Sequence, residues 1–186
     1  MKLSIGGLIA LIGHEAIVLS RYKDIKGVWT IGVGHTSAAG GIDPETFLGK
    51  MTMAEVLDLL RKDVAVYEAA VAAAVTVPLL QHEFDALVSF HYNTGAIATA
   101  TLTATLNSGN RQLAGEQFLN WMKPPQIRPR RLAESALFLE GIYPPPMATV
   151  FPADADGNVL WGEGMCVDAR ALLADHIAAG PREQAS

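Results

Sequence analysis

The sequence predicts an α+β chain that is mostly helical, and three observations carry that prediction. A period-two apolar run over Val28 to His35 reads as strand, and a capping box at Thr52–Glu55 opens a long helix toward Val75. Helix-length apolar stripes, each ended by glycine or proline, then fill most of the chain from Leu79 to Gly141. With 186 residues, 50% apolar and 18% charged, the chain can form one domain or two small lobes around a real core, and it lacks the composition of a disordered segment.

Leu8, Ile9, Leu11 and Ile12 lead into Glu15 with mixed helical spacing and define an apolar first helix. The same stretch resembles a short secretory signal, but no small-x-small cleavage pattern precedes Glu15, so export on this segment is the secondary reading. No run is long enough to span a bilayer, and no membrane insertion is expected. In the strand that follows, Trp29, Ile31, Val33 and His35 point one way, and Thr30, Gly32 and Gly34 the other. Missing side chains at 32 and 34 would open a smooth trough beside Thr30; a glycine-loosened edge strand is the plain alternative.

Gly40, Gly41, Asp43 and Pro44 mark a loop before the long helix. On that helix Val56, Leu60, Asp63 and Tyr67 share a stripe. An acid on an apolar stripe needs a partner, and His35 is the candidate; a place for Asp63 at the solvated margin of the stripe is the alternative. Pro78 ends this segment, and Leu79 to Tyr92 forms a further helix stopped by Asn93-Thr94-Gly95. Helical stretches are expected over Thr101 to Asn107, Gln112 to Trp121 and Pro129 to Glu140, the last closed by Gly141.

Composition shifts at Tyr143, where Pro144-Pro145-Pro146 begins. Residues 1–141 are therefore read as the main domain, and 142–186 as an extension packed on it. Asp154-Ala155-Asp156-Gly157-Asn158 lacks the ligand spacing and distal glutamate of a calcium loop, and is expected to be a turn between two short strands. A last helix is expected over Asp168 to Ile177, with fraying from Gly180 onward.

A net charge of -5 gives no support to nucleic-acid binding. Lys123, Arg128, Arg130 and Arg131 form the one basic cluster, read as a solvated helix end, with an anionic polymer as the other use. Cys166 is alone, which excludes an internal disulfide and a cysteine-built metal site, and it is read as an ordinary buried or half-exposed thiol. His14-Glu15 and His82-Glu83 open the zinc-helix pattern H-E-x-x-H, yet Val18 and Ala86 stand where the second histidine belongs. There is no G-x-S-x-G elbow, and Gly32-x-Gly34 is too short for a dinucleotide site. No metal and no cofactor are expected.

The chemistry that remains is carried by two acids and a hydroxyl at the helix-to-strand junction: Glu15, Asp24 and Thr30. Glycoside hydrolysis needs one carboxyl group to protonate the leaving oxygen and a second group to activate water or to stabilise or trap the sugar cation. Glu15, at the end of an apolar helix, is expected to hold its proton; Asp24, in a polar loop beside Lys23 and Lys26, is expected to stay ionised, with Thr30 holding a water near it. An acid pair nine residues apart is common on surface helices and turns, and gains weight here from the glycines that follow.

These residues resemble a known family. Glu15, Arg21-Tyr22-Lys23-Asp24, Thr30-Ile-Gly32-Val-Gly34-His35-Thr36, Phe90-His-Tyr-Asn93-Thr94-Gly95 and Arg130-Arg131-x-x-Glu134 are similar to the motifs of the phage-type lysozymes, or endolysins, of glycoside hydrolase family 24. The resemblance covers roughly residues 5 to 141. It implies a bilobal, mostly helical fold with a small antiparallel sheet, the lobes joined by a long helix. It also implies cleavage between N-acetylmuramic acid and N-acetylglucosamine in peptidoglycan, with Glu15 as acid and Asp24 and Thr30 opposite.

Tyr22, Gly32, Gly34, Asn93 and Arg128 become the expected contacts to the glycan strand, Arg128 approaching Glu15, and His35 with Asp63 a structural pair. A monomer is expected, accumulating in the cytoplasm and acting in the periplasm after release through a separate pore-forming protein, in host lysis or wall remodelling. A catalytically silent wall-binding module of the same fold is the alternative. Three features depart from the family pattern: Ala16 after the acid, Gln126 and Pro129 before the arginine pair, and the extension after Gly141.

Overall fold

Burial of Leu8, Ile9, Ala10, Leu11 and Ile12 along α1 (Ile5–His14) explains why this glycine-containing stretch is helical: apolar burial outweighs the cost of Gly6, Gly7 and Gly13. The computed structural model describes residues 1–179, so the fraying expected from Gly180 lies outside the described residues. After α1 come β1 (Ala16–Lys23), β2 (Trp29–Gly32), β3 (His35–Thr36), α2 (Met53–Ala74), α3 (Gln81–Thr94), α4 (Thr101–Asn107), α5 (Arg111–Glu116), α6 (Arg128–Glu140), β4 (Met147–Phe151), β5 (Met165–Asp168) and α7 (Ala169–Ala179). The chain divides into two compact units, one of Met1–Leu11 with Val64–Pro145 and one of Ile12–Asp63 with Pro146 onward. The helix α2 crosses this division at Asp63 and Val64.

In the unit that begins at Ile12, the strands form one five-stranded sheet in the order β3-β2-β1-β4-β5. Pairing is antiparallel except between β1 and β4, where Ala16, Ile17 and Val18 run parallel to Thr149, Val150 and Phe151. The sheet is therefore mixed, and residues of the extension supply two of its strands. In β1 the five residues from Val18 to Tyr22 span the same register as three residues of β2, Gly32 to Thr30. That irregularity breaks the period of two, which is why Ala16–Lys23 does not announce itself as a strand.

The expected single strand from Val28 to His35 is in fact a hairpin. Gly32 and Gly34 have φ of +67° and +75°, so both act as turn residues between β2 and β3. At Gly32 a side chain would point at Val56 and Leu59 of α2, at 3.7 and 3.9 Å, and the position is buried. The two glycines turn the chain and do not make an open trough.

The capping box forms as the sequence predicts. Thr52 N–H donates to Glu55 Oε2 at 2.7 Å, Glu55 N–H donates to Thr52 Oγ1 at 3.3 Å, and α2 starts at Met53. In the other unit, Gly95 and Gly141 close α3 and α6 with left-handed backbone, as their positions predict. The core there is aromatic: Phe90, Phe118 and Phe138 are buried, and the Phe90 ring meets Phe118 and Trp121 edge-on at 5.4 and 5.2 Å. Residues 112–121 divide into the end of α5 and a 3-10 stretch at Gln117–Trp121.

Candidate active site

Asp24 lies in the turn between β1 and β2, and its carboxylate organises that turn. Oδ1 accepts from Lys26 N–H and Val28 N–H, both at 2.8 Å, while Asp24 N–H donates to Val28 O at 3.0 Å and Gly27 N–H to Asp24 O at 2.9 Å. The chain reverses at Gly27, whose φ is +78°. Thr30 joins the same peptide: its Oγ1 donates to Val28 O at 3.0 Å, and the residue is only 2% exposed. The structure thus brings Asp24 and Thr30 together through Val28, and a hydroxyl that has given its proton to a carbonyl still has lone pairs to accept one.

An identical turn recurs in the extension at Asp154–Asn158. Asp154 Oδ1 accepts from Asp156 N–H and Asn158 N–H at 3.0 and 2.8 Å, and Asp154 N–H donates to Asn158 O at 3.0 Å. One difference separates the two. In the extension the Asn158 amide also donates to Asp154 Oδ2 at 2.9 Å, and these bonds hold the exposed Asp154 carboxyl below its ordinary pKa. At the equivalent place after Asp24 stands Val28, which has no such donor, so the turn occupies Oδ1 alone and leaves Oδ2 for other chemistry.

Glu15 occupies the bend between α1 and β1, half-buried, its N–H donating to Ile12 O at 3.2 Å. Tyr22, paired with Thr30 across the hairpin, reports on both acids. Burial first, then the negative charges of Glu15 and of Asp24, push its phenol up to about 12. A single phenol that feels both carboxylates places all three groups in one neighbourhood.

The hairpin is braced on its other side by Trp29. Arg21 and Lys23 both lie over its indole, at 4.3 and 4.8 Å from the ring centroid, and Arg21 also donates to Glu45 O. Beyond the glycine turn, His35 is 2% exposed and meets Asp63, with Nδ1 at 2.9 and 3.1 Å from the carboxylate oxygens. Its Nε2 faces Ile42 O at 2.8 Å, and a carbonyl can only accept, so Nε2 is placed to donate there. Burial raises the Asp63 pKa, and the His35 bond opposes it.

In the other unit Asn93 is exposed near the end of α3, and Arg128, also exposed, opens α6. Arg130 and Arg131, expected as a solvated helix end, are instead buried. Arg130 Nε donates to Glu134 Oε1 at 2.9 Å and its Nη2 to Ser89 O at 3.0 Å, while Arg131 donates to Glu134 Oε2 and to Asn93 Oδ1. The charge run R-R-x-x-E placed these groups on one helix, but their partners on α3 are not visible from local spacing. Cys166 is exposed on β5. The turn expected at Asp154–Asn158 is present; the Trp29 clamp and the likeness of that turn to the one at Asp24 were not expected, although the shared D-x-x-G spacing was there to be seen. Among the described residues, no three or more His, Cys, Asp or Glu side chains converge as a metal site would need.

The family model for phage lysozyme matches residues 13–134, a span that includes Glu15, Asp24, Thr30, Asn93 and Arg131. The endolysin of Salmonella phage P22 is 39% identical over 147 residues, covering 75% of this chain and 99% of its own. The structure of the endolysin from Escherichia coli O157:H7 phage FAHEc1 is similar with a TM-score of 0.69 at 34% identity, covering 77% of this chain and 97% of that one. The muramidase domain of SpmX from Asticaccaulis excentricus follows with a TM-score of 0.65 at 30% identity, covering 74% of this chain and 97% of that one. The chain belongs to the phage lysozyme family and is a glycoside hydrolase of the lysozyme type.

Proposed function

We propose that this lysozyme hydrolyses the β-1,4 bond between N-acetylmuramic acid and N-acetylglucosamine in peptidoglycan, with Glu15 as proton donor and Asp24 with Thr30 on the opposite side of the sugar. The observation that carries the reading is the division of labour at Asp24: Oδ1 builds the turn, and Oδ2 is left for a water or a sugar cation. Tyr22, whose phenol feels both acids, supports their assembly in one site. Glu15 gives its proton to the leaving glycosidic oxygen as the bond breaks, and positive charge develops on the sugar. Asp24 either stabilises that charge or takes a proton from the water that attacks it, and the Thr30 hydroxyl accepts a hydrogen bond from that water. Tyr22 and the exposed Gly34 contribute contacts to the glycan strand, whereas Gly32 is buried against α2. His35 and Asp63 act at a distance, by fixing the hairpin to α2.

Reducing-end release from purified peptidoglycan tests this directly. Glu15→Gln should fold as the parent does, with its circular dichroism and melting curve retained, and release no reducing ends; release at the parent's rate would remove Glu15 from the mechanism. A parent chain that sediments with the wall and releases nothing would be a binder.

The role that fits best is host lysis by a monomer released from the cytoplasm through a separate pore. Residues 2–12 support it by being held in the fold, Leu3 N–H donating to Glu68 Oε1 at 2.7 Å and Lys2 Nζ to Glu68 Oε2 at 2.8 Å. Fractionation of cells that make only this protein tests the route, since unaided arrival in the periplasm would assign export to the apolar N-terminal segment.

A further inference from the structure

The extension does more than lengthen the sheet. Its turn Asp154–Asn158 is placed against the hairpin that carries Asp24: Lys23 N–H, the peptide just before Asp24, donates to Gly157 O at 2.8 Å. Gly157 has φ of +86°, and a side chain there would come within 2.6 Å of Trp29 Cζ3 and 2.9 Å of its Cη2. The indole cannot easily yield, because Arg21 and Lys23 lie over it. Lys23 and Trp29 are paired across the hairpin and flank the Asp24 turn at its two ends, so the extension holds both of them at once.

We propose that the Asp154–Asn158 turn is a positioning element for Asp24, with Gly157 as its contact residue acting through Lys23 and Trp29. The proposal rests on the reading of Asp24 as part of the hydrolytic site. The turn itself is rigid for a reason internal to the extension: Asp154 uses both carboxylate oxygens to tie down residues 156 and 158. A rigid turn, pressed on a clamped indole and bonded to the residue before Asp24, fixes where Oδ2 sits without touching substrate.

Gly157→Ala is the direct test, made in the full chain and assayed on purified peptidoglycan. The added methyl group must displace Trp29 or the turn, and with it the Asp24 loop. A misplacement of this kind should lower kcat on the order of tenfold with little change in KM. Adding Trp29→Phe, which removes the indole atoms nearest the new methyl group, should restore most of kcat relative to Trp29→Phe alone.

The Tyr22 phenol, which feels the Asp24 charge, gives a readout that does not depend on turnover. Its titration, followed by NMR of ring-labelled tyrosine and assigned with Tyr22→Phe, should move in Gly157→Ala. If Gly157→Ala does not fold, Asp154→Ala loosens the turn without a clash and should shift kcat and the Tyr22 titration together. Wild-type kcat with a wild-type Tyr22 titration in a folded variant overturns the proposal, as does a loss of kcat with no movement of Tyr22. A parent chain that releases no reducing ends defeats the assigned function instead, and the Tyr22 titration still decides the positioning.

Discussion

The guanidinium of Arg131 donates to Oδ1 of Asn93, joining one of the most deeply buried side chains of the molecule to an exposed residue near the end of α3. Because a guanidinium only donates, the Asn93 amide is oriented with its oxygen inward and its NH₂ group outward. The same guanidinium donates to Glu134 Oε2 and to Trp121 O and lies 5.2 Å over the Phe90 ring. Arg131→Met leaves Arg130 to neutralise Glu134 but strips these bonds, and should cost about 3 kcal/mol in urea unfolding. Arg131→Lys keeps the charge without the fork and should cost less, while Asn93→Ala, at an exposed position, should cost under about 1 kcal/mol.

Tyr22 couples stability to alkaline pH. Its phenol is raised from 10.0 to about 12, so between those values the folded chain holds a proton that the unfolded chain releases. The stabilisation is complete below pH 10 and is lost as pH rises through about 12. Tyr22→Phe should flatten that decline in a series of urea unfolding curves. Asp24→Asn and Glu15→Gln should each lower the phenol pKa, read from tyrosinate absorbance, with an unmoved titration showing that the charge in question does not reach the ring.

His35 and Asp63 make a sharper stability test. Removing the imidazole by His35→Ala leaves the Asp63 carboxyl, its side chain 10% exposed, without the group that opposes its raised pKa, and leaves Ile42 O without its donor. The cost should be about 3 kcal/mol by urea unfolding. Asp63→Asn, which can still bond Nδ1, should cost about 1 kcal/mol. Equal losses in the two variants would mean that charge, and not the hydrogen bond, holds the pair together.

Gly7 tests the packing of the first helix. Alanine in a helix interior is normally favoured over glycine by about 1 kcal/mol, yet here the new methyl group would lie 2.5 Å from Asp85 Cγ. Asp85 cannot move freely, since it accepts from Ser4 N–H at 3.1 Å, Gln81 Nε2 at 2.9 Å, the Tyr143 hydroxyl at 2.7 Å and the Ser4 hydroxyl. Strain should outweigh propensity, and Gly7→Ala should lower stability by about 2 kcal/mol in thermal or urea unfolding.

What the sequence made legible is what is governed by neighbours along the chain. The Thr52–Glu55 box and the glycine stops at 95 and 141 depend on contacts within a few residues and are where the spacing put them, and Asp24 lies in a loop as its polar neighbours predict. The pairing of His35 with Asp63 was reachable because a carboxylate on an apolar stripe demands a partner. The buried fate of Arg130 and Arg131 was not, because Ser89 and Asn93 lie some forty residues away on another helix. Gly32 and Gly34 fit an alternating pattern as well as they fit a turn, and only their positive φ separates the two. For the candidate site, the residues could be named from sequence, but the use of Oδ1 and not Oδ2 by the Asp24 turn could not.

The parallel pairing of Ala16–Val18 with Thr149–Phe151 has a consequence in time. On a ribosome the strand next to Glu15 is made long before its second neighbour in the sheet. Until residues 147–151 have left the tunnel, β1 has one open edge, with unpaired peptide groups beside the junction that carries the chemistry. The sheet is therefore completed only after β4 and β5 have been made, and a chain interrupted at Gly141 would keep the recognisable motifs while presenting an unfinished edge to other copies of itself.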